Sequence, residues 1–414
     1  MSNLEYWIWF SSLYGLRPNT RQNLLERFGD AKGVFFAEET ELKEIESLRA
    51  EELELLSRKD TDAAEAVLGR CRELDIDVVT KQDAAYPERL RNIPDPPSVL
   101  YVRGRLPDID AEPAIAIVGT RDCTSYGIKH ARSIAYEIAS MGGLVVTGLA
   151  AGIDSHAAEG ALMAGGSVIG VLGVAINGVY PASNARLYDD VAATGALVSE
   201  YPPDAKGSPA WFPRRNRIMA GLSVGAVVVE APRSSGALIT ANFAADYGRD
   251  VFAVPGNTDA RESRGCNNLL REGASIAENG WDVLREYEAR FPGKIFRNGR
   301  RGIPEAPAVP EENAGTEKAE PPESRKGNGF FKFREKTRER EKTAEAPALK
   351  KQLEGLSEAQ LKIVGIMAKK HMHVDDIVDL SCLPAATVLS ELTMLQIKGY
   401  VTQEAGKRFT LNIK

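Results

Sequence analysis

Ala114-Ile-Ala-Ile-Val-Gly-Thr-Arg-Asp122 and Leu144-Val-Val-Thr-Gly-Leu-Ala-Ala-Gly-Ile-Asp154 set the architecture of this chain. Each is a short apolar run ending in glycine, and Gly127–Met141 between them has the spacing of a helix with one apolar face. Parallel strands need crossover connections of a dozen residues or more. The same unit recurs at Ser167–Gly173, Ala196–Tyr201, Val224–Ala231 and Asp250–Gly256, with helical spacing again over Ala237–Tyr247. The recurrence predicts an α/β fold, an extended Rossmann-type doubly wound sheet over residues 84–290.

Working outward, residues 1–80 read as a small helical domain, with helical periodicity at Tyr6–Leu16, Arg21–Phe28, Glu39–Ile45 and Glu51–Leu74. Gly15–Gly29 resembles a helix-hairpin-helix element, whose turn aims N–H groups at a phosphate. The alternative is a plain helical bundle for protein contact, favoured by the dense acids of Glu38–Glu54. Residues 297–350 read as a disordered charged linker with prolines at 304, 307, 310, 321 and 322. Within it, Arg325–Lys342 carries eight basic and three acidic residues around Phe330, Phe331 and Phe333. That pattern fits a solvated linker or an auxiliary nucleic-acid tether. Residues 353–414 predict a winged-helix domain: a helix over Ser357–Lys369 with Ser357 and Gln360 as a capping box, helices over His373–Leu380 and Pro384–Lys398, and a terminal hairpin. Either duplex DNA or a protein suits such a module. His371 and His373 lack a third ligand, so no metal is expected there.

With 414 residues, 43% apolar and 27% charged, the chain has globular composition. Its longest apolar runs, such as Ser167–Ala175, fall far short of the roughly 20 residues that span a membrane. The N-terminus has no basic lead or cleavage site, and Cys71, Cys123, Cys266 and Cys382 are isolated, so a reduced cytoplasmic location is expected. Net charge is −6, but residues 1–83 hold 18 acidic and 11 basic side chains, which leaves the remainder near neutral with clustered cations. This excludes a DNA-coating polycation and permits a local electropositive groove.

Ligands of doubly wound sheets bind beyond the carboxyl ends of the strands. The first strand ends in Gly119-Thr120-Arg121, with Ser125 as a candidate helix cap, and neither G-x-G-x-x-G nor a P-loop is present. A guanidinium stands where a phosphate would dock. The second ends in a loop bearing Gly148 and Gly152, suited to close backbone approach. Tyr180-Pro-Ala-Ser-Asn184 follows the third. Trp211-Phe212-Pro-Arg214-Arg215-Asn216-Arg217 opens a helix with three cations beside aromatics able to stack on bases, unless the aromatics belong to the core. The fifth strand ends in Glu230, before a small-residue loop with Ser235, Gly236 and Thr240. So many such loops on one edge suit a polynucleotide better than one mononucleotide.

Residues 84–275 resemble the DNA-processing protein A (DprA/Smf) family. The likeness rests on Tyr86-Pro87 with Leu90, Pro96–Tyr101, Gly119–Arg121, Gly148–Asp154, Tyr180-Pro181 with Asn184, Ser199–Pro202, Phe212–Ile218, Ser235–Thr240, Val254–Gly256 and Gly265–Ala274. The helical N-terminal segment and the C-terminal winged helix are similar to those of longer members. The resemblance implies a homodimer without a cofactor that binds single-stranded DNA, protects incoming DNA in natural transformation and helps load a RecA-type recombinase. It places Arg121 in the pocket and Phe212, Arg215, Asn216 and Arg217 at the start of the crossover helix. Ala151 and Ala182 stand where the family often has cations, Thr147 replaces a frequent serine and Asn177 a frequent aspartate. His156 is displaced from a histidine common in the family and is read as structural. Two rival readings are a nucleotide-cleaving enzyme, whose Pro-Gly-Gly-x-Gly-Thr loop is missing, and a sensor of small nucleotides. No catalytic residue is expected: Glu200 and Glu230 end strands, but nothing pairs them with a nucleophile or base.

Overall fold

Strand and crossover alternate as the apolar runs require. The computed structural model describes residues 3–45 and 48–299, then Ser357, Gln360, Ile363, Val364, Met367, Met372, His373, Ile377 and residues 385–398, 400–404 and 408–411. Two units divide near residue 313. Nearly all of the expected linker, its Phe330–Phe333 cluster included, lies outside the described residues.

The first unit opens with helices α1 (Asn3–Ser12), α2 (Pro18–Phe28), α3 (Ala31–Phe36), α4 (Glu39–Lys43), α5 (Ala50–Ser57) and α6 (Asp62–Glu73). The stretch expected as one helix over Glu51–Leu74 is α5 and α6, parted at residues 58–61. The sequence reading has no counterpart of α3, which Asp30 caps by accepting from Gly33 N at 2.7 Å. Next come β1 (Asp77–Thr80), α7 (Glu88–Arg91), β2 (Val99–Gly104), β3 (Ala114–Val118), α8 (Ser125–Ser140), β4 (Leu144–Thr147), α9 (Ile153–Met163) and β5 (Val168–Leu172). Then follow α10 (Ala185–Thr194), β6 (Ala196–Ser199), α11 (Trp211–Leu222), β7 (Gly225–Val228), α12 (Ala237–Asp246), β8 (Asp250–Ala253), α13 (Arg264–Arg271), β9 (Ser275–Ile276) and α14 (Gly280–Leu284).

The sheet order is β1-β2-β6-β5-β4-β3-β7-β8-β9. Strands β3 to β9 run parallel, while β1 and β2 extend one edge antiparallel. Strands buried on both faces read as continuous apolar runs, which is why the parallel ones were legible. Ile115, Ile117, Val145 and Val227 join one core with Ile134 and Ile138 of α8 and Ala157 of α9. Val118, Val146, Val171 and Val228 join another with Ile218, Met219 and Leu222 of α11. The N-terminal helices are continuous with the first core, where Trp7, Phe10 and Leu24 group with Val99 and Tyr101 of β2.

In the second unit, β10 (Met372–His373), α15 (Ala385–Ile397), β11 (Val401–Glu404) and β12 (Arg408–Leu411) form a helix with a sheet ordered β10-β12-β11. Gln360 N donates to Ser357 Oγ and Ser357 N to Gln360 Oε1, both at 3.2 Å, which makes the capping box. Met372 and His373 pair with Phe409 and Arg408, so the helix expected from His373 gives way there to a strand. Leu392 and Leu395 are buried with Ile363, Met367 and Phe409; the side chain of Leu389 lies outside the described ones.

Among the N-terminal helices, Glu52 is a buried acid held by Arg17. Arg17 Nη2 donates to its Oε2 at 2.7 Å, and the N–H groups of Arg17 and Arg49 donate at 3.0 Å. Burial pushes the Glu52 carboxyl up, but these donors outweigh it and hold it down at about 2. Its contribution to stability is therefore fully present above its ordinary value of 4.5 and is lost as pH falls through about 2. At roughly 1.4 kcal/mol per pKa unit it amounts to at most about 3–4 kcal/mol. Denaturant unfolding followed by circular dichroism from neutral to acid pH is expected to lose this slope in Glu52→Gln, and an unchanged slope would refute the assignment.

Candidate nucleic-acid interface

The sheet order reverses at β3, which has β4 on one side and β7 on the other, so the crossovers leaving their carboxyl ends diverge and open a crevice. An open cavity of about 340 Å³ occupies it. Gly119, Thr120 and Arg121 form one wall, and Phe212, Arg215 and Asn216 of α11 another; Ser235, Gly236 and Thr240 close the third.

The loop after β3 is held from both sides. Thr120 N donates to the Glu230 carbonyl at 2.7 Å, and Ile153 N donates to the Thr120 carbonyl at 3.2 Å. The cap of α8 is Thr124, accepting from Gly127 N at 3.3 Å, rather than the expected Ser125. Gly152 adopts φ +81°, and a Cβ there would lie 2.4 Å from the Thr120 carbonyl oxygen. It braces this loop from behind and does not line the cavity.

Arg121 is exposed. Its guanidinium carbon lies 5.4 Å from the Phe212 ring centre and 5.7 Å from that of Tyr180, and those rings are 5.1 Å apart. Among the described residues no carboxylate forms an ion pair with it. A cation over two aromatic faces, at the mouth of a cavity, meets both needs of a single strand: a charge for phosphate and a surface for a base. Tyr180, 45% exposed, was absent from the sequence-derived site. So was Arg233, also exposed, in the loop between cavity-lining Pro232 and Ser235.

The other arginines of the Phe212–Arg217 block differ from expectation. Arg217 is one of the three cations that open this helix beside aromatics, yet its side chain is 3% exposed. Its Nη2 donates to Glu200 Oε1 at 2.7 Å and its Nε to Asp95 Oδ2 at 3.0 Å. Desolvation alone would lower its pKa, but the two acids outweigh that and raise it. Arg214 shares these acids more loosely, at 3.4 Å from Glu200 and 3.9 Å from Asp95. Arg215 is a buried strut, donating from Nη1 to the carbonyls of Gly148 at 2.8 Å and Val171 at 2.6 Å. A Cβ on Gly148 would fall 1.9 Å from that Nη1, so glycine there makes room for the arginine rather than for a ligand. Burial lowers the Arg215 pKa, and Asp154 counters it. In Asp154 burial raises the carboxyl against the pull of Arg215.

Asn216 Nδ2 donates to the Gly236 carbonyl at 3.1 Å and ties α11 to the start of α12. Ser235 Oγ accepts from Ala237 N at 3.3 Å. Thr240 Oγ1 is buried in the cavity wall without a hydrogen-bond partner among the described residues. Asn184 stands apart from the cavity, donating to the Leu149 carbonyl at 3.0 Å. Of the two aromatics, Phe212 lines the cavity. Trp211 instead stacks on Tyr201 at 3.7 Å and 8°, with Tyr14 of the N-terminal segment 6.4 Å away.

Fold and crevice together define a protein of the Rossmann type with a winged helix further along the chain. Residues 77–288 match the family described as DNA recombination-mediator protein A, and residues 344–407 match the DprA winged helix domain. The chain belongs to the DNA recombination-mediator protein A family. It is 32% identical over 415 residues to protein Smf of Synechocystis sp., across 99% of both chains. To DNA processing protein DprA of Streptococcus pneumoniae it is 41% identical over 206 residues, 50% of this chain and 72% of that one. The X-ray structure of DprA from the same organism superposes with a TM-score of 0.61 at 33% identity, over 69% of this chain and 98% of that one.

Arg217→Ala leaves the partly buried Glu200 and Asp95 with the loosely placed Arg214 as their remaining ion-pair partner among the described residues. Breaking a buried pair in this way costs about 3–5 kcal/mol. Chemical denaturation is expected to show a loss of that order, and a loss under about 1 kcal/mol would mean the pair is effectively solvated.

Proposed function

We propose that the chain binds single-stranded DNA across the crevice at β3 and β7, as a recombination mediator that hands the strand to a RecA-type recombinase. The observation that carries this reading is Arg121, exposed, without an acid partner among the described residues, and laid over Phe212 and Tyr180 at the cavity mouth. Phosphates meet Arg121 and, beyond it, Arg214 and Arg233, while an unstacked base reaches Phe212 and Tyr180. Arg215 and Asn216 serve the same site as part of its wall, Gly148 and Gly152 by fixing that wall from behind, and Asn184 by holding the Leu149 carbonyl outside the cavity. Duplex DNA keeps its bases stacked and withholds those faces.

The reading is a binding one rather than a catalytic one, without a cofactor. The two acids that follow strands are already engaged, Glu200 by Arg217 and Glu230 by Thr124. Protection of incoming DNA during natural transformation, work as a homodimer and a cytoplasmic location belong to the same proposal. Among the described residues no helix is long and apolar enough to cross a membrane.

Gel-shift titration at one salt concentration is expected to show at least about tenfold tighter binding of an oligothymidine than of a blunt duplex, about 1.4 kcal/mol. Equal affinity for the two refutes the reading. Arg121→Ala is expected to weaken single-strand binding and flatten its log–log salt dependence by up to about 0.7 per phosphate lost. Its unfolding free energy should stay within about 0.5 kcal/mol of wild type. A collapsed melting temperature with an unaltered salt slope would move Arg121 from the site to the scaffold.

A further inference from the structure

Glu230 lies two residues beyond β7 at 3% exposure, beside the crevice but outside the lining of the cavity. Three hydrogen bonds that shape the loop after β3 run to it. Thr120 N donates to its carbonyl at 2.7 Å, Thr124 N to its Oε2 at 2.8 Å and Thr124 Oγ1 to its Oε1 at 2.7 Å. The Thr124 hydroxyl oxygen in turn accepts from Gly127 N and caps α8. The fold makes room for this carboxylate, since a Cβ on Gly127 would lie 2.2 Å from Glu230 Oε2. Among the described residues no lysine or arginine forms an ion pair with Glu230. Its partners are a hydroxyl and an amide at the N-terminus of a 16-residue helix, where a negative charge is favoured. A buried acid so near a DNA-binding arginine would weaken binding through its charge alone, so its presence calls for a reason in the geometry.

We infer that Glu230 is a positioning residue for single-strand binding. It pins both ends of the Thr120–Thr124 loop and so holds Arg121 over Phe212 and Tyr180. Bonded at one end only, the loop would let the Arg121 backbone drift, and the guanidinium would lose the rings that orient it. The inference rests on the single-strand reading above and adds the residue on which its phosphate contact depends.

The test is a double-mutant cycle on the full chain, with a labelled oligothymidine as probe. Glu230→Ala and Thr124→Val, each alone and combined with Arg121→Ala, are compared by affinity, salt slope and melting temperature. Thr124→Val is nearly isosteric and removes only the hydroxyl bonds, so it carries the test should Glu230→Ala fail to fold. Each is expected to weaken binding by about tenfold and to flatten the salt slope as Arg121→Ala does. Added to Arg121→Ala, neither should cause further loss. Glu230→Gln keeps an acceptor for Thr124 N and a donor for its hydroxyl, and is expected to retain most of the affinity. Independent, additive losses would overturn the role, as would losses that leave the salt slope intact. Tighter binding by Glu230→Ala would show that the acid acts only as a repelling charge. A wild-type chain without single-strand preference would overturn the functional reading and this role with it, which separates the two failures.

Discussion

Strand β3 has a parallel neighbour on each side, and no single crossover helix can cover both of its flanks. The helix that returns to β4 and the one that leaves β7 therefore lie on opposite faces of the sheet, and the carboxyl end of β3 is left uncovered between them. Everything at the candidate site answers to that gap. The Gly119–Thr124 turn must lie across it, Gly152 must come close enough to brace the turn, and α11 must start beside it. The cavity follows from how a parallel sheet is wound, and the residues around it decide what enters.

The arginines around the crevice divide by their partners. Arg217 sits between Glu200 and Asp95, and Arg215 spends its donors on the carbonyls of Gly148 and Val171. Both fix α11 against the strand ends. A buried guanidinium without such partners would be strongly destabilising, so their fixed geometry is a condition of their burial. Among the described residues Arg121 has neither an acid nor a carbonyl partner, and its guanidinium lies over two aromatic faces. Inside this fold positive charge is paired, while Arg121 stands exposed at the crevice rim, so a chain with a net charge of −6 still presents a cation there.

The N-terminal helices bear on the same region. Tyr14 packs beside Tyr201 and Trp211, and Arg70 donates to Asp204 at 2.7 Å in the segment that leads into α11. Arg21, which a phosphate-binding hairpin would present outward, donates instead to the carbonyls of Phe10 and Leu13, and burial lowers its pKa to about 10. These helices therefore serve as a buttress for the loop before α11.

From the sequence alone came the parallel strands β3 to β8, the crossover helices, the winged helix and the row of loops at the candidate site. These are local patterns: apolar runs, helical spacing, glycine at strand ends. The family likeness followed from the same loops. Strands β1 and β2 escaped, because an antiparallel edge gives short runs whose pairing depends on segments far along the chain. The roles within the Phe212–Arg217 block escaped for the same reason. Arg214, Arg215 and Arg217 are equal in composition and charge, and Asp95, Glu200, Gly148 and Val171 reach them only through folding. Burial of a charge is decided by its partners, and those partners are neighbours in space rather than in sequence, so only the tertiary structure separated struts from contacts.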